Sequence, residues 1–131
     1  MGMAMQSILA VDDSVSMRQL IAWTLRAAGY HVIEAADGAQ ALAQAGSNDV
    51  DLVITDQNMP GMDGLALTRS LRADARLRDV PVLILSTDDD ADLKQAARSA
   101  GATGWLTKPF EPQRLLEVIR KVAPPPGTKP C

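Results

Sequence analysis

The sequence predicts an α/β fold in which five parallel strands alternate with five helices. Three observations support this prediction. Short apolar runs recur along the chain, segments with helical spacing of apolar residues lie between them, and several runs are continuous rather than alternating. Continuous apolar runs are typical of strands buried on both faces, and strict alternation of strand and helix is typical of a parallel sheet covered by helices on both sides.

The predicted strands are short, and a helix follows each of them. The first, third and fourth are rich in Val, Ile and Leu, whereas the second and fifth are weaker and more polar. We therefore expect the second and fifth strands to lie nearer the edges of the sheet. In chain order, the predicted strands are 8–11, 31–34, 52–55, 82–85 and 104–107.

The segments between the strands carry apolar residues three and four positions apart, as amphipathic helices do. The first helix contains Met17, Leu20 and Ile21 and is expected to stop at Gly29. In the last helix, the apolar residues from Leu115 to Val122 form a stripe along one face. The predicted helices are 14–28, 39–45, 65–72, 91–100 and 112–122.

Composition indicates one globular domain, since the chain has 131 residues, of which 47% are hydrophobic and 22% are charged. A net charge of −3 and 3% aromatic residues give no indication of nucleic-acid binding. No apolar run approaches the ~20 residues of a membrane span, and the first residues do not resemble a signal peptide. We therefore expect a cytoplasmic protein that binds neither nucleic acid nor membrane. We also expect a monomer.

The ends of the chain are expected to lie outside the folded domain. Residues 1–6 are predicted to form a disordered N-terminus and residues 7–123 the domain. Residues 124–131 are rich in proline, which is incompatible with a helix, and are predicted to form a disordered tail. The single cysteine, Cys131, lies in that tail and can form no intrachain disulfide.

Polar side chains follow four of the predicted strands, at the points where the strands end. They are Asp12 and Asp13 after the first strand, Asp56 after the third, Ser86 and Thr87 after the fourth, and Lys108 with Pro109 after the fifth. Ligands of open α/β sheets bind beyond the carboxyl ends of the strands. We therefore expect these side chains to converge at one edge of the sheet.

Any one of these residues has a simpler structural explanation. An aspartate after a strand is often a turn or cap residue, and either Asp13 or Ser14 could cap the first helix. Three carboxylates at one place, however, repel one another unless they are paired or bind a metal. Their oxygens suit Mg²⁺, a nearby lysine and hydroxyl can bind a phosphoryl group, and a carboxylate can be a nucleophile towards phosphorus.

Four segments of the chain carry a specific resemblance. They are Val11-Asp12-Asp13-Ser14, residues 55–64 (TDQNMPGMDG), residues 85–87 (LST) and residues 107–110 (TKPF). Taken together and in this order, they resemble the receiver domain of two-component response regulators. The resemblance extends from about residue 7 to residue 122, and residues 14–30 and 101–110 are most similar to single-domain chemotaxis regulators. It implies the flavodoxin-like receiver fold, with strand order 2-1-3-4-5.

The resemblance also implies roles for the strand-end residues. Asp56 would accept a phosphoryl group from a phosphohistidine of a sensor histidine kinase. Mg²⁺, with Mn²⁺ as a substitute, would be held by Asp12, Asp13, Asp56 and the backbone carbonyl of Asn58. Lys108 would pair with the acids and then with phosphate oxygens, and its bond to Pro109 would be cis.

The resemblance further implies a conformational switch. Ser86 would be the switch hydroxyl, with Thr87 as the alternative, and Trp105 would be the aromatic side chain that moves. Tyrosine or phenylalanine is more usual at this position, and a half-buried core residue is the simpler interpretation of Trp105. Asn58 and Asp88 would tune hydrolysis. The fourth helix, fifth strand and fifth helix would form the surface that binds a target.

Several functions remain open at this point. The leading hypothesis is a stand-alone response regulator that catalyses only its own phosphorylation and dephosphorylation, and that binds a protein target such as the flagellar motor switch. The alternative is a phosphorelay intermediate or phosphate sink. An aspartyl phosphatase usually has a second aspartate where Asn58 stands, and an amide cannot act as the general acid. A nucleotide- or flavin-binding domain is disfavoured because no glycine-rich phosphate loop follows the first strand.

Overall fold

A computed structural model describes residues 6–122, and within this range the chain forms a five-stranded parallel sheet with a helix after each strand. The strand order is β2-β1-β3-β4-β5, which confirms both the predicted order and the position of the second and fifth strands at the edges. The predictions for residues 1–5 and 123–131 lie outside the described residues. The strands are β1 (Ser7–Val11), β2 (His31–Ala35), β3 (Leu52–Asp56), β4 (Val82–Ser86) and β5 (Gly104–Thr107).

The helices begin and end within two residues of the predicted positions. They are α1 (Val15–Ala27), α2 (Gly38–Ser47), α3 (Gly64–Ala73), α4 (Ala91–Ala100) and α5 (Pro112–Val122). Ser14, not Asp13, caps α1, because the Ser14 hydroxyl accepts a hydrogen bond from the N–H of Met17 at 3.3 Å. The helix ends before Gly29, whose φ of +97° suits a residue without a Cβ.

Several predicted boundaries shift by one or two residues, and two of these shifts concern the site. β3 and β4 each extend one residue further than predicted, so Asp56 and Ser86 are the last residues of strands and not the first residues of loops. The reason is pairing across the sheet, where Asp56 lies opposite Leu85 and Ser86 lies opposite Thr107. At the other end, Gln6 is buried and its carbonyl accepts a hydrogen bond from the N–H of His31. Gln6 therefore belongs to the folded domain.

The sheet separates two hydrophobic cores. α1 and α5 cover one face, and α2, α3 and α4 cover the other. Alternate strand residues supply the two cores, so that Ile8 faces α1 and α5 whereas Leu9 faces the opposite helices. Both are essentially inaccessible to solvent, and burial of such a side chain contributes roughly 1.5–3 kcal/mol. Within residues 6–122, no helix is long and apolar enough to span a bilayer.

Candidate functional site

Three carboxylates meet at the carboxyl edge of the sheet. Asp12 and Asp13 follow β1, and Asp56 ends the neighbouring strand β3. Carboxylate oxygens of all three lie within 4.8 Å of one another. Asp12 and Asp56 are buried, whereas Asp13 is exposed. The parallel arrangement of β1 and β3 therefore brings together side chains that are more than forty positions apart in the sequence.

Asp12 is the most tightly held of the three acids. Its N–H donates a hydrogen bond to the carbonyl of Ala35 at 3.1 Å, and its Oδ1 accepts one from the N–H of Ser14 at 2.9 Å. Burial raises the pKa of the Asp12 carboxyl, against the opposing effects of the Ser14 N–H and of Lys108. A nearby positive charge would oppose this shift and favour the ionised carboxylate.

Lys108 is the positive charge closest to the acids. Its Nζ lies 2.9 Å from Oδ1 of Asp56 and 3.5 Å from Oδ2 of Asp12. The backbone N–H of Lys108 donates to the carbonyl of Ser86 at 2.7 Å, which anchors the segment after β5 to the end of β4. The peptide bond between Lys108 and Pro109 is cis.

The charge balance of the cluster fits a divalent cation. Three carboxylates and one ammonium leave two negative charges when all are ionised. The donors that the protein offers are carboxylate oxygens, which Mg²⁺ prefers. Because the protein supplies only a few of them, waters or phosphate oxygens would complete the coordination sphere. The residues present are therefore suitable ligands for Mg²⁺.

A buried hydroxyl ends the next strand. Ser86 is fully buried, whereas the competing Thr87 is exposed. The Ser86 Oγ accepts a hydrogen bond from the N–H of Asp88 at 3.0 Å, and Oδ1 of Asp88 accepts one from the N–H of Asp90 at 2.9 Å. Asp90 in turn caps α4. Ser86 is thus connected to the start of α4 through two successive hydrogen bonds.

The turn after Asp56 is closely packed against the start of α3. The side chain of Asn58 is exposed, and Gly61 has a φ of +80°. Gly64 is needed for close approach, because a Cβ there would lie 2.9 Å from both the carbonyl oxygen of Asp56 and the Oε1 of Gln57. Gly64 therefore lets the first turn of α3 pack directly against the end of β3.

Trp105 lies on β5, with its Cα opposite that of Ile84, and its half-buried ring packs against the core beneath α2, α3 and α4. Its Nε1 is buried and has no hydrogen-bond partner among the described residues. Trp105 also lines a groove of about 650 Å³. The other lining residues are Lys94 of α4, Leu106 and Thr107 of β5, Pro109, Phe110 and Glu111 after it, and Gln113, Arg114 and Glu117 of α5.

One residue beside the acids was not predicted from the sequence. Arg18 lies on α1, and its Nη1 donates a hydrogen bond to the backbone carbonyl of Asp12 at 2.6 Å. Its Nε donates to Oε1 of Glu34 on β2 at 3.3 Å. An arginine in the first turns of an amphipathic helix looks like a solvated side chain, and nothing in a single sequence indicates the backbone carbonyl to which it bonds.

The fold and the site define a doubly wound α/β domain with a cluster of three carboxylates and a lysine at the carboxyl edge of its sheet. The model of the response regulator receiver domain family matches residues 8–120. The chain belongs to this family.

The comparisons with individual proteins agree with this assignment. The chain is 43% identical over 116 residues to the chemotaxis protein CheY of Pseudomonas aeruginosa, covering 88% of this chain and 94% of the relative. The structure of chemotaxis protein CheY4 of Vibrio cholerae superposes with a TM-score of 0.89 at 44% identity, covering 91% of this chain and 99% of that one. The chain is therefore a receiver domain homologous to chemotaxis regulators of two-component signalling.

A third comparison concerns the metal. The receiver domain of sensor histidine kinase PA1611 from Pseudomonas aeruginosa PAO1 superposes with a TM-score of 0.83 at 32% identity, covering 91% of this chain and 98% of that one. That structure has a magnesium ion coordinated in its active site cleft. In this chain, Asp12, Asp13 and Asp56 form a group of acids that could hold a metal ion.

Proposed function

We propose that this chain is a stand-alone response regulator that accepts a phosphoryl group on Asp56 and then changes its affinity for a protein target. The arrangement around Asp56 carries the proposal. A buried carboxylate at a strand end is paired with Lys108 at 2.9 Å and lies beside Asp12 and Asp13. This combination supplies a nucleophile, a cation for phosphate oxygens and ligands for a metal in one place.

The proposed phosphoryl donor is a phosphohistidine of a sensor histidine kinase, for which acetyl phosphate is a small substitute. A carboxylate oxygen of Asp56 attacks phosphorus in line with the histidine nitrogen. A P–O bond forms, the P–N bond breaks, and the nitrogen takes up a proton. Lys108 then pairs with oxygens of the new phosphoryl group. Its ammonium already lies 2.9 Å from Oδ1 of Asp56, so it is next to the side chain that carries this group.

Magnesium is the proposed cofactor, and Mn²⁺ would substitute for it. The side chains of Asp12, Asp13 and Asp56 and the backbone carbonyl of Asn58 would hold the ion. When bound, the cation offsets the negative charge of the phosphoryl group and of the acids around it. The raised pKa of Asp12 supports this assignment, since a buried carboxyl that lacks sufficient positive charge is the kind of group that a cation stabilises.

Ser86 is the proposed switch residue. Its hydroxyl would donate a hydrogen bond to a phosphoryl oxygen, and this movement would weaken the bond that it accepts from the N–H of Asp88. Because Asp88 is bonded to Asp90 at the start of α4, the change would reach α4. Trp105 would move in response. Asn58 and Asp88, both exposed beside the site, would tune the rate of hydrolysis.

The proposed target-binding surface is the face formed by α4, β5 and α5. The groove of about 650 Å³ on this face supports the proposal, as does the position of Trp105 in its wall. By homology with chemotaxis proteins, the target would be a component of the flagellar motor switch. The remaining proposals are that the protein is a cytoplasmic monomer that binds neither nucleic acid nor membrane, and that its only catalysis is its own phosphorylation and dephosphorylation.

A second function uses the same site. In a phosphorelay intermediate or a phosphate sink, Asp56 would pass its phosphoryl group to another histidine or to water without any motor target. The two functions differ in what the phosphorylated form binds. A motor component would bind the phosphorylated chain more tightly than the unmodified chain, whereas a histidine phosphotransfer protein would remove the phosphoryl group.

Intact mass after incubation with acetyl phosphate tests the proposed chemistry. With Mg²⁺, we expect one added phosphoryl group on the wild type, and none in EDTA. The Asp56→Asn variant should remain folded and unmodified, because the amide keeps the size of the carboxylate but loses the nucleophile. An equal adduct on Asp56→Asn would overturn the assignment of Asp56.

A further inference from the structure

We infer that Arg18 is a positioning residue for the carboxylate of Asp13, and that it acts through the peptide group between Asp12 and Asp13. This assignment rests on the proposed metal site. It adds to that site a residue of α1 that holds one of the metal ligands in position. The contact that carries it is the hydrogen bond of 2.6 Å from Arg18 Nη1 to the backbone carbonyl of Asp12. The Arg18 side chain is only 16% exposed, so the bond is largely shielded from water.

The backbone is held on both sides of Asp13. On one side, the carbonyl of Asp12 is bound by Arg18. On the other side, the N–H of Ser14 donates to Oδ1 of Asp12 at 2.9 Å. The orientations of the two peptide groups that flank Asp13 are therefore fixed by side chains, one of which belongs to another element of the fold.

The Asp13 carboxylate depends on this backbone for its position. It is exposed and forms no hydrogen bond or ion pair with any residue in the range 6–122. One of its oxygens nevertheless lies within 4.8 Å of one oxygen of Asp12 and of one oxygen of Asp56. A side chain without partners of its own takes its position from the direction of its Cα–Cβ bond, which Arg18 helps to set.

Arg18 is itself oriented by Glu34. Its Nε donates to Oε1 of Glu34 at 3.3 Å, while Arg26 donates to Oε2 of the same carboxylate at 3.4 Å. Arg26 also donates to the carbonyl of Val32, and within residues 6–122 it forms no hydrogen bond with Asp12. Arg26 therefore shares the acidic partner of Arg18 but not its bond to the site, which makes it a matched control.

The direction in which Mg²⁺ affinity changes when Arg18 is removed distinguishes positioning from simple electrostatic repulsion. Arg18 is a positive charge close to the proposed cation site, and like charges repel. If charge alone mattered, removal of Arg18 would strengthen Mg²⁺ binding. If Arg18 positions Asp13, its removal weakens Mg²⁺ binding, because the carboxylate must then be ordered as the ion binds.

Calorimetric titration of the full chain with Mg²⁺ tests this inference. For Arg18→Gln we expect the Kd for Mg²⁺ to rise about tenfold, as is typical when a residue that supports a metal ligand is lost. Arg26→Gln should keep the wild-type Kd. Arg18→Lys should recover part of the affinity, because an ammonium can reach one of the two acceptors but lacks the planar fork that serves both.

A double variant identifies the residue through which Arg18 acts. In an Asp13→Asn background, the further change Arg18→Gln should leave the Kd for Mg²⁺ unaltered, since the carboxylate that it positions is gone. An unchanged or lower Kd for Arg18→Gln, or an equal effect with and without the Asp13 carboxylate, overturns the inference while leaving the proposed function intact. A wild-type chain that binds no Mg²⁺ overturns both. If Arg18→Gln fails to fold, the Kd for Mg²⁺ can be compared with and without the Asp13 carboxylate in two other variants. These are Arg18→Lys and Glu34→Gln, which removes the carboxylate that orients Arg18.

Discussion

The ammonium of Lys108 lies 2.9 Å from Oδ1 of Asp56, although Asp56 ends β3 and Lys108 follows β5, two strands that are not adjacent in the sheet. β4 runs between β3 and β5, and the lysine reaches across its carboxyl end. The backbone of Lys108 is fixed there by its hydrogen bond to the carbonyl of Ser86. A change at Asp56 is therefore linked through Lys108 to the ends of all three strands.

Lys108→Ala should separate phosphoryl uptake from switching. We expect the variant to accept a phosphoryl group on Asp56 at a reduced rate, because the nucleophile and the metal ligands remain. The linkage to β4 and β5 is lost, so phosphorylation should no longer alter tryptophan emission. Intact mass measures the uptake, and fluorescence with and without acetyl phosphate measures the switch. Lys121→Ala, on the exposed part of α5, is the control and should behave as wild type. A normal emission change in Lys108→Ala would contradict this prediction.

The stability of the metal-free protein should depend on the ionisation of Asp12. Burial raises the pKa of its carboxyl above 3.8 in the folded state. A carboxyl of this kind favours folding when it is protonated, so its contribution is complete below the unfolded pKa and is lost as the pH rises through the folded pKa. At pH 7 the ionised group is therefore unfavourable.

Asp12→Asn should accordingly raise Tm at pH 7 in EDTA. The difference from wild type should shrink as the pH falls through the raised folded-state pKa of Asp12 and should be smallest below the ordinary value of 3.8, where the carboxyl is protonated in the unfolded chain as well. Thermal unfolding across this range measures both effects. With Mg²⁺ present, the difference in Tm between Asp12→Asn and wild type should become smaller or change sign, because the ion stabilises the wild-type site. A lower Tm for Asp12→Asn at pH 7 in EDTA would count against the role of burial.

Ser86→Ala should abolish the switch while retaining phosphoryl uptake. The variant cannot donate a hydrogen bond to a phosphoryl oxygen, and it leaves the N–H of Asp88 without its acceptor. Loss of that bond should lower the free energy of unfolding by about 1 kcal/mol. Thr87→Ala removes the exposed hydroxyl of the next residue and should change neither the switch nor the free energy of unfolding. If Thr87→Ala lost the switch and Ser86→Ala kept it, the assignment of the hydroxyl would be wrong.

Gly64→Ala should disturb the site through the backbone. The added methyl group would lie 2.9 Å from the carbonyl oxygen of Asp56, so the turn and the strand end would have to separate. We expect a loss of about 1–3 kcal/mol in the free energy of unfolding, together with slower phosphorylation. Gly46→Ala is the matched control, because nothing lies within 4 Å of a Cβ there. Alanine in that helix should be stabilising, and denaturant unfolding compares the two variants.

Much of the fold could be predicted from the sequence because local patterns determine it. The apolar runs and the helical spacing indicated every element, and β5, α4 and α5 begin and end where the pattern placed them. The ends of β3 and β4 were missed because pairing across the sheet, which no local pattern reveals, adds Asp56 and Ser86 to the strands. The strand order came from the resemblance to a family.

The site was predictable in part for a similar reason. The rule that ligands lie beyond the carboxyl ends of parallel strands predicts that Asp12, Asp13 and Asp56 lie together, and in the structure one oxygen of each lies within 4.8 Å of the others. The choice between Ser86 and Thr87 depends on which of the two hydroxyls is buried, and only the structure shows that it is Ser86. The contact of Arg18 with the Asp12 carbonyl depends on how α1 packs beside β1, and the sequence carries no signal for it.

The central claim is that Asp56 carries the phosphoryl group, and its most direct test is chemical trapping. Borohydride reduces an aspartyl phosphate to homoserine, and peptide mass spectrometry then locates the altered residue. After incubation with acetyl phosphate and Mg²⁺, the account predicts homoserine at position 56 of the wild type and at no other aspartate. Homoserine at another aspartate, or a phosphoryl group that survives on a serine or threonine, would contradict it.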